Sequence, residues 1–150
     1  MSYNLSNVPL GGQATGENTA SGAEFCLDRG VGQVQHRDVV IDSTATDAFR
    51  NPSTLLEVGL VLVKNASTGR WAGVANGSTS ATDKMGVLDE PVNMLDPNGV
   101  AQNTAPKKLM IRGLVDAARV RDKLGAAIDS TGRTGLATGT NGCNFMFSAA

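Results

Sequence analysis

The side chains able to do chemistry are few and scattered. The single histidine, His36, lies between Gln35 and Arg37, and the two cysteines, Cys26 and Cys143, stand far apart in the chain. A hydrolase or transferase needs a nucleophile, a base within hydrogen-bond reach and a group that orients the base. Nothing in the spacing brings a serine or cysteine to His36, which therefore reads as a surface or hydrogen-bonded structural histidine. Without a CxxC or a neighbouring histidine the cysteines are too few for a zinc site and too sparse for a disulfide framework, so they read as free, half-buried thiols. Asp89-Glu90 could pair as acid and base, but before Pro91 they mark the end of a strand, where solvated charges are the ordinary finding. "GVG" (Gly30 to Gly32) and "GTNG" (Gly139 to Gly142) lack the Lys-Ser/Thr of a phosphate loop and the GxGxxG of a dinucleotide turn. "DPNG" (Asp96 to Gly99) is too short for a calcium loop. The expectation is a protein with no catalytic residues, no metal and no cofactor.

Composition bounds what could position any site. A length of 150 residues suits one domain with a real core. Hydrophobic residues make up 41%, with one Trp, one Tyr and four Phe, so the core must be built from aliphatic side chains, and 18 glycines favour turns and β structure over long helices. Thirteen basic against 14 acidic residues leave a net charge of −1, and no basic cluster exceeds Lys107-Lys108, which argues against nucleic acid as a partner. No apolar run approaches the roughly 18 to 20 residues that span a bilayer, and "MSYNLSNVPLGG" lacks a signal peptide's pattern; the reading expects no membrane and synthesis in the cytosol of the producer.

Periodicity and turn residues then place the elements. "DVVID" (Asp38 to Asp42) reads as a strand and "TDAFRNP" (Thr46 to Pro52) as one helical turn stopped by proline. Leu60 to Val63, the turn-forming "NASTG" (Asn65 to Gly69) and Arg70 to Ala75 read as a hairpin, followed by a turn at Asn76-Gly77 and a strand from Met85 to Leu88. "KLMIRGLVD" carries the strongest strand signal, with Gly113 expected as a bulge or bend. Asp116 is expected to cap a short helix, "AARVRDKLG", ended by Gly125, with Val120 and Leu124 on one face. A strand near Ala127 to Asp129, a turn at "STGRTG" and a last strand from Asn144 to Ser148 follow. The total is six or seven short strands and at most two short helices.

Residues 1–24 stand apart as an extended N-terminal arm, and 25–150 as the β-rich domain. Glycine, Ser, Thr and Asn dominate the arm, and it buries too little to offset an ordering entropy of roughly 1 to 2 kcal/mol per residue. Tyr3, Leu5, Val8, Pro9 and Leu10 nevertheless give its tip apolar anchors. Coupled folding on a partner surface accounts for those anchors; an inert leader is the alternative. Trp71, in the returning strand of the hairpin, is either closing a small core or standing in an interface as a rigid anchor.

The order "EVGLVLVKNASTGRWAGVANG…MGVLDEPVNM…KLMIRGLVDAARV" resembles the head decoration, or capsid cement, proteins of tailed bacteriophages. The matching features are Gly59 to Val63, Gly69 with Arg70 and Trp71, Gly86 to Leu88, and Leu109 to Val115, within residues 54–121. The resemblance implies a mainly β fold, a small β-tulip-like or partly closed β-barrel body, assembled as a homotrimer. It further implies a seat on the outer surface of the virion at three-fold positions, with the arm reaching the major capsid protein and the shell stabilised against genome pressure. The stretch Phe25 to Thr54 and the C-terminal region have no counterpart in the smaller family members. A head-fibre base or minor capsid protein of the same virion is the alternative within this class. A small hydrolase or carbohydrate-binding module with a site near Trp71 is the alternative outside it.

Overall fold

A single sheet with a hydrophobic group packed on each of its faces organises the chain. The computed structural model describes residues 25–27, 29, 34–80, 83–138 and 142–148. Its strands are β1 (Gln35–Val39), β2 (Leu55–Leu56), β3 (Val61–Lys64), β4 (Trp71–Gly73), β5 (Met85–Leu88), β6 (Val92–Asn93), β7 (Lys107–Asp116) and β8 (Asn144–Ser148), and its one described helix is α1 (Ser130–Ala137). The fold is mainly β, as the composition predicts. Six strands form one sheet in the order β1-β7-β5-β3-β4, with β8 also paired to β7, and β2 and β6 form a separate two-stranded sheet. All pairings are antiparallel except that of β7 with β8. The sheets do not close into a barrel.

Strand side chains alternate between faces, so a strand buried on both sides supplies two cores at once. In β3, Val61 enters one group with Met85, Val87, Met110, Val115 and Phe145, while Leu62 enters the other with Ile41, Leu60, Trp71, Leu88 and Leu109. All four residues of β5 are buried for the same reason. Gly86 faces the second group, and its lack of a side chain is what allows β5 and β7 to pack here. A Cβ at that position would lie 2.6 Å from Leu109 Cγ and 2.9 Å from the Met110 carbonyl oxygen. Gly86→Ala is expected to lower stability by about 1–3 kcal/mol through overpacking, read as a reduced urea midpoint at unchanged slope.

The hairpin forms where its spacing predicts, with Leu62 opposite Gly73, Val63 opposite Ala72 and Lys64 opposite Trp71. Asn65 Oδ1 accepts from the Ser67 and Thr68 amides, and Gly69 takes φ +73° to bring the chain back. Other elements differ from expectation. The strand expected at Asp38 to Asp42 is displaced to Gln35–Val39, because the chain leaves β7 after Val39 and crosses to β4. There Trp71 N–H donates to Val40 O and Asp42 N–H donates to Trp71 O.

No helix forms over Ala117 to Gly125. Its backbone is taken by distant partners: Arg121 N–H donates to Gly59 O, Val61 N–H to Arg121 O and Lys123 N–H to Val74 O, and Leu124 is exposed. The helix lies instead where a turn was expected, in "STGRTG", because Asp129 caps it by accepting from Gly132 N–H at 2.8 Å. Ala127 makes only an isolated bridge. The Thr46 to Pro52 segment forms turns rather than a helical turn. β7 runs unbroken through Gly113, and its irregularity lies at Ile111, the extra residue between Met110 (opposite His36) and Arg112 (opposite Gln35).

Candidate functional site

Tyr3, Leu5, Val8, Pro9 and Leu10, the arm's expected capsid anchors, lie outside the described residues. Trp71 is 3% exposed and belongs to the second hydrophobic group, with Val39, Ile41, Leu60, Leu62 and Leu88. Its indole belongs to the body's interior, and its backbone ties residues 40–42 to the edge of the sheet.

The titratable residues read as isolated in the sequence are brought into clusters. Asp89 follows the end of β5; its side chain is 6% exposed and accepts a bidentate pair from Arg29 at 2.7 and 2.9 Å. The same carboxylate binds His36 Nε2 on β1. Asp89 is thus a staple between three segments rather than a solvated strand end. Glu90 is also engaged, accepting the Lys108 amide at 2.8 Å. A His–carboxylate contact is two parts of a hydrolytic triad, but among the described residues no hydroxyl or thiol bonds to His36. With Arg29 on the same carboxylate, the arrangement holds β1 and the Arg29 segment to β5.

A second ionic cluster was not legible at all. Asp47 is 0% exposed and bonds to the guanidinium of Arg121 at 2.9 and 3.1 Å. The remaining acceptor capacity of Asp47 is filled by the amides of Phe49 and Glu57, each at 3.0 Å. Arg121 also donates to the carbonyls of Glu57 and Val58 and lies 4.0 Å from the Phe49 ring centroid. Beside it opens a cleft of about 210 Å³ lined by Phe25, Phe49, Glu57, Val58, Ala118, Arg119 and Arg121. Its ionised walls are paired, Arg119 with Asp116, Glu57 with Arg50 and Arg121 with Asp47. A cleft of this size can hold one side chain.

A third polar cluster fixes the loops around α1. Asp122 accepts from the amides of Asn76, Leu124 and Ala126, Asn76 Oδ1 accepts from Asp129 N–H, and Asp129 accepts from Gly132 and Gly77. The Gly132 amide, then the Gly77 amide, hold the Asp129 carboxyl below the usual carboxylate range. A depressed folded-state pKa adds stability above the unfolded value of about 4 and loses it as pH falls through the folded value. Asp129→Asn keeps a capping oxygen but removes this titration. Its melting temperature is expected to fall below wild type near neutral pH and to converge on it as the pH drops below about 4, measured by circular dichroism.

Cys26 and Cys143 are both buried. Burial pushes the Cys143 thiol up, which leaves it protonated and inert. Among the described residues no three His, Cys, Asp or Glu side chains gather to hold a metal, and no helix is long and apolar enough to cross a membrane. What the geometry offers is a body stapled by ion pairs and presenting surfaces. Set against known proteins, the chain matches no protein-family model, and no curated protein matches it either.

Proposed function

We propose that the protein is a capsid decoration, or cement, protein of a tailed bacteriophage. In this reading it acts without catalysis, binding the outer surface of the head at three-fold positions as a homotrimer and bracing the shell against the packaged genome. The observation that carries it is the placement of the blocks on which the resemblance rests. Gly59 to Val63, the Arg70-Trp71 return, Gly86 to Leu88 and Leu109 to Val115 fall on β3, β4, β5 and β7, four neighbouring strands of one sheet. Blocks separated in the chain thus make one contiguous unit, which random short apolar strands need not do.

A β-tulip-like, partly closed body is supported by the path of residues 35–42. They pair with β7 at one end of the strand order and meet Trp71 of β4 at the other. A stiff body of this kind holds the arm, Tyr3 to Leu10, against the major capsid protein. Modest contacts repeated by symmetry add up to high avidity. Deleting residues 2–12 is expected to abolish co-sedimentation with expanded phage heads while the urea unfolding curve stays unchanged. Undiminished occupancy of the heads by the shortened chain sinks the arm's role, and density anywhere but on the three-fold positions in electron micrographs sinks the reading as a whole.

A further inference from the structure

The bulge at Ile111 changes which way the second half of β7 looks. Leu109 packs in the second hydrophobic group and Val115 in the first, so beyond the extra residue Arg112, Leu114 and Asp116 point to the face that Leu109 occupies, past the end of that group. Leu114 is flanked on both sides. Leu27 N–H donates to its carbonyl at 2.8 Å on one side, and Met146 of β8 is its register partner on the other. Cross-strand partners share a face. The result is an apolar row across the Cys26-Leu27 segment, β7 and β8, formed by Leu27, Leu114 and Met146, in which Leu27 is 50% and Met146 68% exposed.

The row is bordered symmetrically. Along β7, Arg112 lies two residues to one side of Leu114 and Asp116 two residues to the other, roughly 6.5 Å each way. Along β8 the corresponding positions are Asn144 and Ser148. A half-turn about the line of the row keeps Leu27, Leu114 and Met146 each opposite its own copy and reverses the strands. Arg112 then meets Asp116 of the other copy, and Asn144 meets Ser148. Arg112 makes no ion pair among the described residues, and Asp116 is paired only with the exposed Arg119 and the Ala118 amide.

We infer that this face is a two-fold contact between two copies of the chain. A stripe of three apolar side chains would accept many partners, but opposite charges placed at equal distances on its two sides make the surface complementary to itself under this one operation. The contact differs from the three-fold assembly proposed above, and its test needs no phage heads.

The test is symmetric disulfide trapping in the full-length chain. Leu114→Cys and, separately, Met146→Cys each place a thiol opposite its own copy, whereas the native Cys26 and Cys143 are buried and remain as the background control. Mild oxidation is expected to convert most of either variant to a disulfide-linked dimer on a non-reducing gel. Adding Arg112→Asp sets two carboxylates together and should cut the yield at least about tenfold. Met146→Cys guards against misfolding of the Leu114 variant, since position 146 is already exposed. Thiols that stay reduced yet alkylate freely overturn the inference, because the row is then open. Thiols that neither cross-link nor alkylate overturn it in favour of another cover, such as residues 1–24, and a dimer yield indifferent to Arg112→Asp overturns the charge pairing that defines the contact.

Discussion

Trp71→Ala is expected to destabilise the protein by about 3–5 kcal/mol, the range for emptying a buried large aromatic site. At 3% exposure the indole has no solvent face to lose, and other members of its hydrophobic group, Ile41 and Leu62 among them, are themselves held by strand pairing. They cannot collapse far into the space, so a cavity term adds to the lost transfer energy. Trp71 also sits where residues 40–42 join β4, and loosening it should expose that edge. Against a total stability of about 5–15 kcal/mol the loss is severe, and it should appear in urea unfolding as a much lower midpoint. An interface tryptophan gives a different result: stability within about 0.5 kcal/mol of wild type, with the defect confined to association.

Arg121→Met should be comparably damaging, by about 3–5 kcal/mol, for an electrostatic reason. Removing the guanidinium strands the carboxylate of Asp47, which is 0% exposed, without its counter-charge. The double variant Asp47→Asn with Arg121→Met removes both charges while leaving an oxygen to accept from the Phe49 and Glu57 amides, and part of the loss should return. Thermal unfolding of Arg121→Met, of Asp47→Asn alone and of the double variant measures the coupling. A single variant as stable as wild type would mean that water reaches Asp47 and that the pair is ornamental.

What could be read from the chain depended on range. The hairpin was legible because strand, turn and return fit within residues 60–75, and the buried strand Met85 to Leu88 because its apolar run is short and bounded. The helix expected at Ala117 to Gly125 failed although Val120 and Leu124 have helical spacing. Its amides and carbonyls find partners in Gly59, Val61 and Val74, which local pattern does not see. Conversely, "STGRTG" looks like a turn, yet Asp129 caps it and Gly132 lets it lie against Ile128, where a Cβ would come within 2.5 Å of Cγ1. The ionic clusters were hidden for the same reason. Arg29 is 60 residues and His36 53 residues from Asp89, and Arg121 is 74 from Asp47, so no spacing rule joins them. The Ile111 bulge, which turns Leu114 outward, leaves no mark in composition.

Covering the sheet on both sides also removes a safeguard. In a sheet with one wet face, sliding a strand by a single residue throws its oily side chains into water, and the error is rejected. Here the same slide in β3 would merely swap Val61 and Leu62 between two oily compartments. Alignment must instead be enforced by shape. The bare backbone at Gly86, directly beneath Leu109, acts as a notch that only one threading of β5 past β7 can engage.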